Sequence, residues 1–108
     1  MILVNTDRIT GKEFEILSIV KGSTIRSIHL GRDIIASLKM IVGGELTDYG
    51  EMINEARAIA TKRMVEEAEA LKADAVVNIR YATSNVTQRA AEVLVYGTAV
   101  KFTSRKST

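Results

Sequence analysis

Four charged residues are the strongest candidates for chemistry in this chain: Arg32, Asp33, Glu45 and Arg57. A guanidinium near carboxylates does one of two things. It closes an ion pair that fixes two surfaces in register, or it offers a two-pronged donor to an anionic ligand. Arg57 follows Ala56 on an apolar helical stripe, which predicts a partly buried stem and a guanidinium aimed at Asp33 or Glu45. An ion pair at a subunit interface is the commoner outcome of such a network. A small anion or carboxylate held in a cleft between subunits is the sharper alternative.

Other chemistries lack parts. There is no Cys, so disulfides, thiolate metal sites and cysteine nucleophiles are all ruled out. Soft metals want sulfur and imidazole, and the chain offers one His, His29, with Met40, Met52 and Met64 on or beside apolar stripes as core filling. A metal site would need symmetry to repeat His29 or Glu45 around an axis. The acids Glu45, Asp48, Glu51 and Glu55 have the oxygens for a hard cation. Acids also gather wherever a helix begins, because unpaired N–H groups and the macrodipole favour them there, and that account prevails. No Ser stands with an evident base and orienter, so no catalytic constellation is recognisable. Gly43-Gly44 ends a helix rather than opening one after a strand, so it cradles no phosphate. Gly97, in Tyr96-Gly97-Thr98-Ala99, predicts a close backbone approach within a strand.

The elements that must position these residues can be read from periodicity. Ile2 to Asn5 is a short strand candidate, and Glu13 to Ile28 a long β-rich stretch with a bulge, bend or hairpin-like break at Gly22-Ser23. Both faces of Phe14 to Val20 are apolar, which predicts cover on both sides. Ile34, Ile35, Leu38, Ile41 and Val42 form a helical stripe ended by Gly43-Gly44. A second helix follows, with Thr47 or Asp48 as its cap and Met52, Ile53, Ala56, Ile59, Ala60, Met64, Ala68 and Leu71 along one face. Ala75 to Tyr81 is a strand, Thr83 to Arg89 a polar connection, and Glu92 to Phe102 the last strand, apolar on both faces. The order β-β-α-α-β-β with short links predicts an α+β fold: an antiparallel sheet packed with a long helix.

Bulk properties set the frame. With 108 residues, 46% hydrophobic and 26% charged, the chain fits one ordinary globular domain, residues 1–103, followed by a polar tail, residues 104–108. A domain this small buries roughly two thirds of its unfolded surface. The net charge of +2 is spread without aromatic interleaving, so no nucleic-acid partner is expected. Met1-Ile2-Leu3-Val4 is broken at once by polar residues and no run reaches the ~18 apolar residues of a membrane span. The expectation is a cytoplasmic protein with no membrane partner and no cofactor.

Five motifs in register carry a family resemblance: Gly31-Arg32-Asp33-Ile34, Val42-Gly43-Gly44-Glu45-Leu46 with Tyr49, Glu55-Ala56-Arg57, Ala75-Val76-Val77, and Tyr96-Gly97-Thr98-Ala99-Val100. Together they resemble the YbjQ-like family of small bacterial and archaeal proteins, over about Ile16 to Phe102. The resemblance implies a dodecin-like subunit assembled into a ring, a homo-pentamer or two stacked pentamers, and brings a heavy-metal-binding label without a defined mechanism. The chain departs from the family in one place. Lys72-Ala73-Asp74-Ala75 stands where Gly-Ala-Asn-Ala is usual, so the helix needs another exit, and Asp74 is the expected left-handed residue.

The functional expectation is a non-catalytic binding or sequestering module, with a small polar or anionic ligand between subunits near Arg32, Asp33, Glu45 and Arg57. The alternatives are a structural or protein-interaction ring without ligand, and metal-ion binding. If the last strand lies at the interface, Asp at Leu94 or Val95 should break assembly.

Overall fold

A single residue series explains how the long helix docks. Met52, Ala56, Ala60, Met64 and Ala68 recur every fourth position and are all buried. They form one ridge of helix α1, Thr47–Ala70. Three alanines in that ridge remove bulk, so the helix axis can approach the sheet closely. The computed structural model describes residues 1–27, 47–87 and 90–103.

The sheet has four strands, β1 (Ile2–Leu3), β2 (Phe14–Ser27), β3 (Ala75–Thr87) and β4 (Ala90–Phe102), in the spatial order β1-β3-β4-β2. β4 pairs antiparallel with both β2 and β3. β1 runs parallel to β3, with Ile2 opposite Ala75 and Leu3 opposite Val76. The sheet is therefore mixed rather than wholly antiparallel. A parallel pair needs a long crossover between its strands, and β2 with α1 supplies one.

Three expectations about individual segments are also corrected. β2 runs unbroken through Gly22-Ser23, and its irregularity lies at Leu17, between Ile16 and Ser18. Gly22 is small for a different reason: a Cβ there would overlap the Ala60 carbonyl oxygen and the Met64 nitrogen, so it is where α1 crosses the sheet. The polar segment after Tyr81 is not a connection but the far half of β3, paired as far as Thr87 with Ala90. Its polarity follows from exposure of that half, which leaves no apolar alternation to read. Finally, the left-handed residue at the helix exit is Lys72 (φ 62°), not Asp74. Ala73 N–H donates to Ala68 O and Lys72 N–H to Glu69 O, both a Schellman pattern. Lys72 thus occupies the left-handed position that Gly most often fills at a helix exit. The Asp74 carboxylate instead accepts from the Phe102 N–H at 2.8 Å.

The main core lies between α1 and the sheet, with Val20, Val76, Ile79, Val93, Val95 and Ala99 facing the helical ridge. A smaller core sits on the opposite face, where Val4, Ile9, Phe14 and Phe102 surround Ala75, Val77 and Val100. That second cluster covers one end of the sheet only. Leu71, expected on the core face of α1, is 43% exposed. Gly97 matches its expectation: a Cβ there would lie 2.7 Å from Val76 Cγ1 and 3.1 Å from Ile79 Cγ1.

Candidate functional site

Arg32, Asp33 and Glu45 lie outside the described residues. Arg57 is exposed on α1 of the single subunit, where its place beside Ala56 predicts a partly buried stem, and no ion pair engages it among the described residues. Its carbonyl accepts a hydrogen bond from Thr61 Oγ1 at 2.7 Å, and Thr61 in turn meets Tyr81 Oη at 2.9 Å. Of the acids weighed as a cation site, Glu55 pairs with Arg26 of β2 at 2.5 Å, while Glu51 is exposed. No group of three or more His, Asp or Glu residues that could hold a metal ion occurs among the described residues. With His29 outside them and Cys absent from the chain, the described donor set does not fit a soft metal.

The sheet face turned away from α1, expected to be apolar, carries the feature that sequence reasoning missed. Val20 and Gly22 point at the helix, so their neighbours on β2 point the other way. On β2 this face carries Ile16, Ile19 and Ile25, which are 71%, 74% and 61% exposed. Among the described residues, the expected cover on both sides of β2 is therefore present only at Phe14, beside Phe102. Val95, proposed for the interface, lies instead in the helix-side core, whereas Leu94 is on the open face and partly buried.

Register then assembles a row that spacing alone does not reveal. Tyr96 of β4 stands directly opposite Lys21 of β2 on one side and Arg80 of β3 on the other. The three side chains share the open face, and all are exposed. Arg80 enters the row because of a bulge: Asn78 and Ile79 together oppose Gly97, and Asn78 takes a left-handed conformation (φ 56°). That extra residue sends Ile79 into the helix-side core and Arg80 to the other face. Arg80 Nη1 is steadied by the carbonyls of Asn5 (3.1 Å) and Ile79 (3.0 Å). Two strand spacings, about 10 Å, separate the Lys21 and Arg80 backbones. Among the described strand residues of this face the one acid is Glu92, two rows away opposite Ile25 and about 13 Å along β4 from Tyr96.

An open depression of ≈ 880 Å³ lies elsewhere, under the 8–14 loop, lined by Arg8, Lys12 and Phe14 among others. Its Lys12 ammonium stands 5.0 Å from the Phe102 ring centre, which turns that charge toward the protein itself.

Comparison with known proteins places the fold. Residues 1–103 match the YbjQ family, described as "Putative heavy-metal-binding". The chain belongs to this family. A UPF0145 protein of Alkaliphilus metalliredigens is 68% identical over 102 residues, 94% of this chain and 99% of its own length. One from the archaeon Methanosarcina acetivorans is 55% identical over 106 residues, 97% of this chain and all of its own. A crystal structure of a protein of unknown function from Pediococcus pentosaceus, of the DUF74 family, superposes with a TM-score of 0.65. It covers 95% of this chain and 98% of its own at 14% identity, a likeness of fold alone. No helix among the described residues is long and apolar enough to cross a membrane.

Proposed function

We propose that this protein is a subunit of a cytoplasmic homo-oligomer, a pentameric ring or stacked pair of rings as the family resemblance implies, which holds a small polar or anionic ligand between subunits. The observation that carries the assembly is the open face of β2. Three isoleucines more than half exposed in line are an aggregation hazard unless a second copy covers them. Covering one is worth about 1.5–3 kcal/mol.

Ligand binding rests on the cationic groups: the exposed Arg57 and the Lys21–Tyr96–Arg80 row, with Arg32, Asp33 and Glu45 as further candidates from sequence. Native mass spectrometry of untagged protein tests both parts. Five or ten subunits with a reproducible excess mass is the expected result. A bare ring favours the structural alternative, and a monomer overturns the assembly. The metal-ion reading follows the family's description; metal content measured on the same untagged sample decides it.

A further inference from the structure

We propose that Lys21, Tyr96 and Arg80 form the ligand site, and that its ligand is a small anion carrying a flat unsaturated ring, the chemistry of a nucleoside monophosphate. The inference deepens the ligand-binding reading above and rests on it. Tyr96 is 42% exposed, so part of its ring is available for stacking. The strand register sets a cation on each side of it, Lys21 from β2 and Arg80 from β3. The adjacent rows on this face are neutral, Ser23, Leu94 and Ala82 on one side and Ile19, Thr98 and Val77 on the other. A negative group there meets two positive charges and no acid in its own or the adjacent rows of the face, while a ring beside it meets Tyr96 and the flanking Ile19 and Leu94. The two cations act differently. Arg80 is held by the Asn5 and Ile79 carbonyls and presents a fixed fork. Lys21 is anchored through its backbone, whose N–H donates to Glu67 Oε1 at 2.9 Å, leaving the ammonium on a flexible stem.

The face favours a small ligand over a nucleic-acid strand. Binding a strand takes successive aromatic platforms along a basic groove. Here one aromatic stands in one basic row, with isoleucines on either side of Lys21 along β2.

The test is calorimetric titration of the intact protein with adenosine 5′-monophosphate, with adenosine and inorganic phosphate as half-ligands. The nucleotide should bind at least about tenfold more tightly than either half, and more weakly as salt rises. Lys21→Gln, Arg80→Gln and Tyr96→Leu should each weaken it about tenfold. Tyr96→Leu keeps apolar bulk, so a loss there reports the ring rather than the fold, and circular dichroism checks each variant. Equal binding of adenosine removes the cations from the site, and equal binding of phosphate removes Tyr96. No binding of any probe, or much tighter binding of an oligoadenylate, overturns the proposal. The native mass separates the two levels: an intact ring without nucleotide binding sinks the site alone, and a monomer that binds the nucleotide sinks the assembly alone.

Discussion

Glu67 of the helix accepts a hydrogen bond, 2.9 Å long, from the backbone N–H of Lys21, on the outer side of edge strand β2. Two residues along the strand, Arg63 Nη1 donates to the Ser23 carbonyl at 2.7 Å. An open strand edge invites pairing with another chain, and these two side chains occupy the groups that would template it. The charges 63 and 67 on α1 therefore work as edge guards as well as a solvated face.

Removing a guard should be visible in two ways. Glu67→Ala is expected to lower stability by about 1 kcal/mol, below the about 1.5–3 kcal/mol of a hydrogen bond to a charged group because the site is exposed. It should also raise aggregation on mild heating. Urea denaturation and light scattering check both; a variant that matches the parent in each would mean the edge is protected by something else.

The helix exit is strained because its left-handed residue is not Gly. Lys72 holds a left-handed conformation that costs a side-chain-bearing residue about 1 kcal/mol, while its carbonyl serves as acceptor for Lys101 Nζ at 3.1 Å. Lys72→Gly keeps that carbonyl and should raise stability by about 0.5–1 kcal/mol, read from the denaturation midpoint. The same logic protects Asn78, whose bulge places Arg80: Asn78→Gly should be tolerated, whereas Asn78→Val should destabilise by about 1–2 kcal/mol.

Two glycines should respond in opposite directions. Gly50 lies inside α1, and a methyl added there would meet nothing within 4 Å, so Gly50→Ala should stabilise by up to about 1 kcal/mol. Gly22→Ala drives a methyl into the Ala60 carbonyl, and the helix cannot retreat without losing its ridge. A loss of about 2–3 kcal/mol in thermal or urea unfolding is expected. A stabilised Gly22→Ala would show that α1 does not cross β2 there.

How much of this was legible depends on what each residue packs against. The ridge from Met52 to Ala68 was readable because burial imposes helical spacing on it, and β4 because both its faces are apolar. The far half of β3 was not, since an exposed ribbon such as Ala82-Thr83-Ser84 has no buried face to enforce alternation. Tyr96 drew attention within Tyr96-Gly97-Thr98-Ala99, yet its neighbours Lys21 and Arg80 are 75 and 16 positions away. Only cross-strand register joins them, and for Arg80 that register depends on the bulge at Asn78, which no local periodicity announces. Arg57 misled for the converse reason: its neighbour Ala56 is fully buried, but one step along a helix turns the next side chain about 100° away.

The two faces of the sheet give the sharpest contrast between assembly and folding. Val95 is fully buried under α1, so Val95→Asp places a charge in the subunit's own core and should unfold it. Ile19 is 74% exposed on the other face, so Ile19→Asp should leave the far-ultraviolet circular dichroism and the monomer fold intact while lowering the mass in solution. Light scattering after size exclusion reads the mass. A ring that survives Ile19→Asp, and equally Ile25→Asp, would mean the isoleucines face solvent in the assembly, and the interface would have to be sought on the helix side.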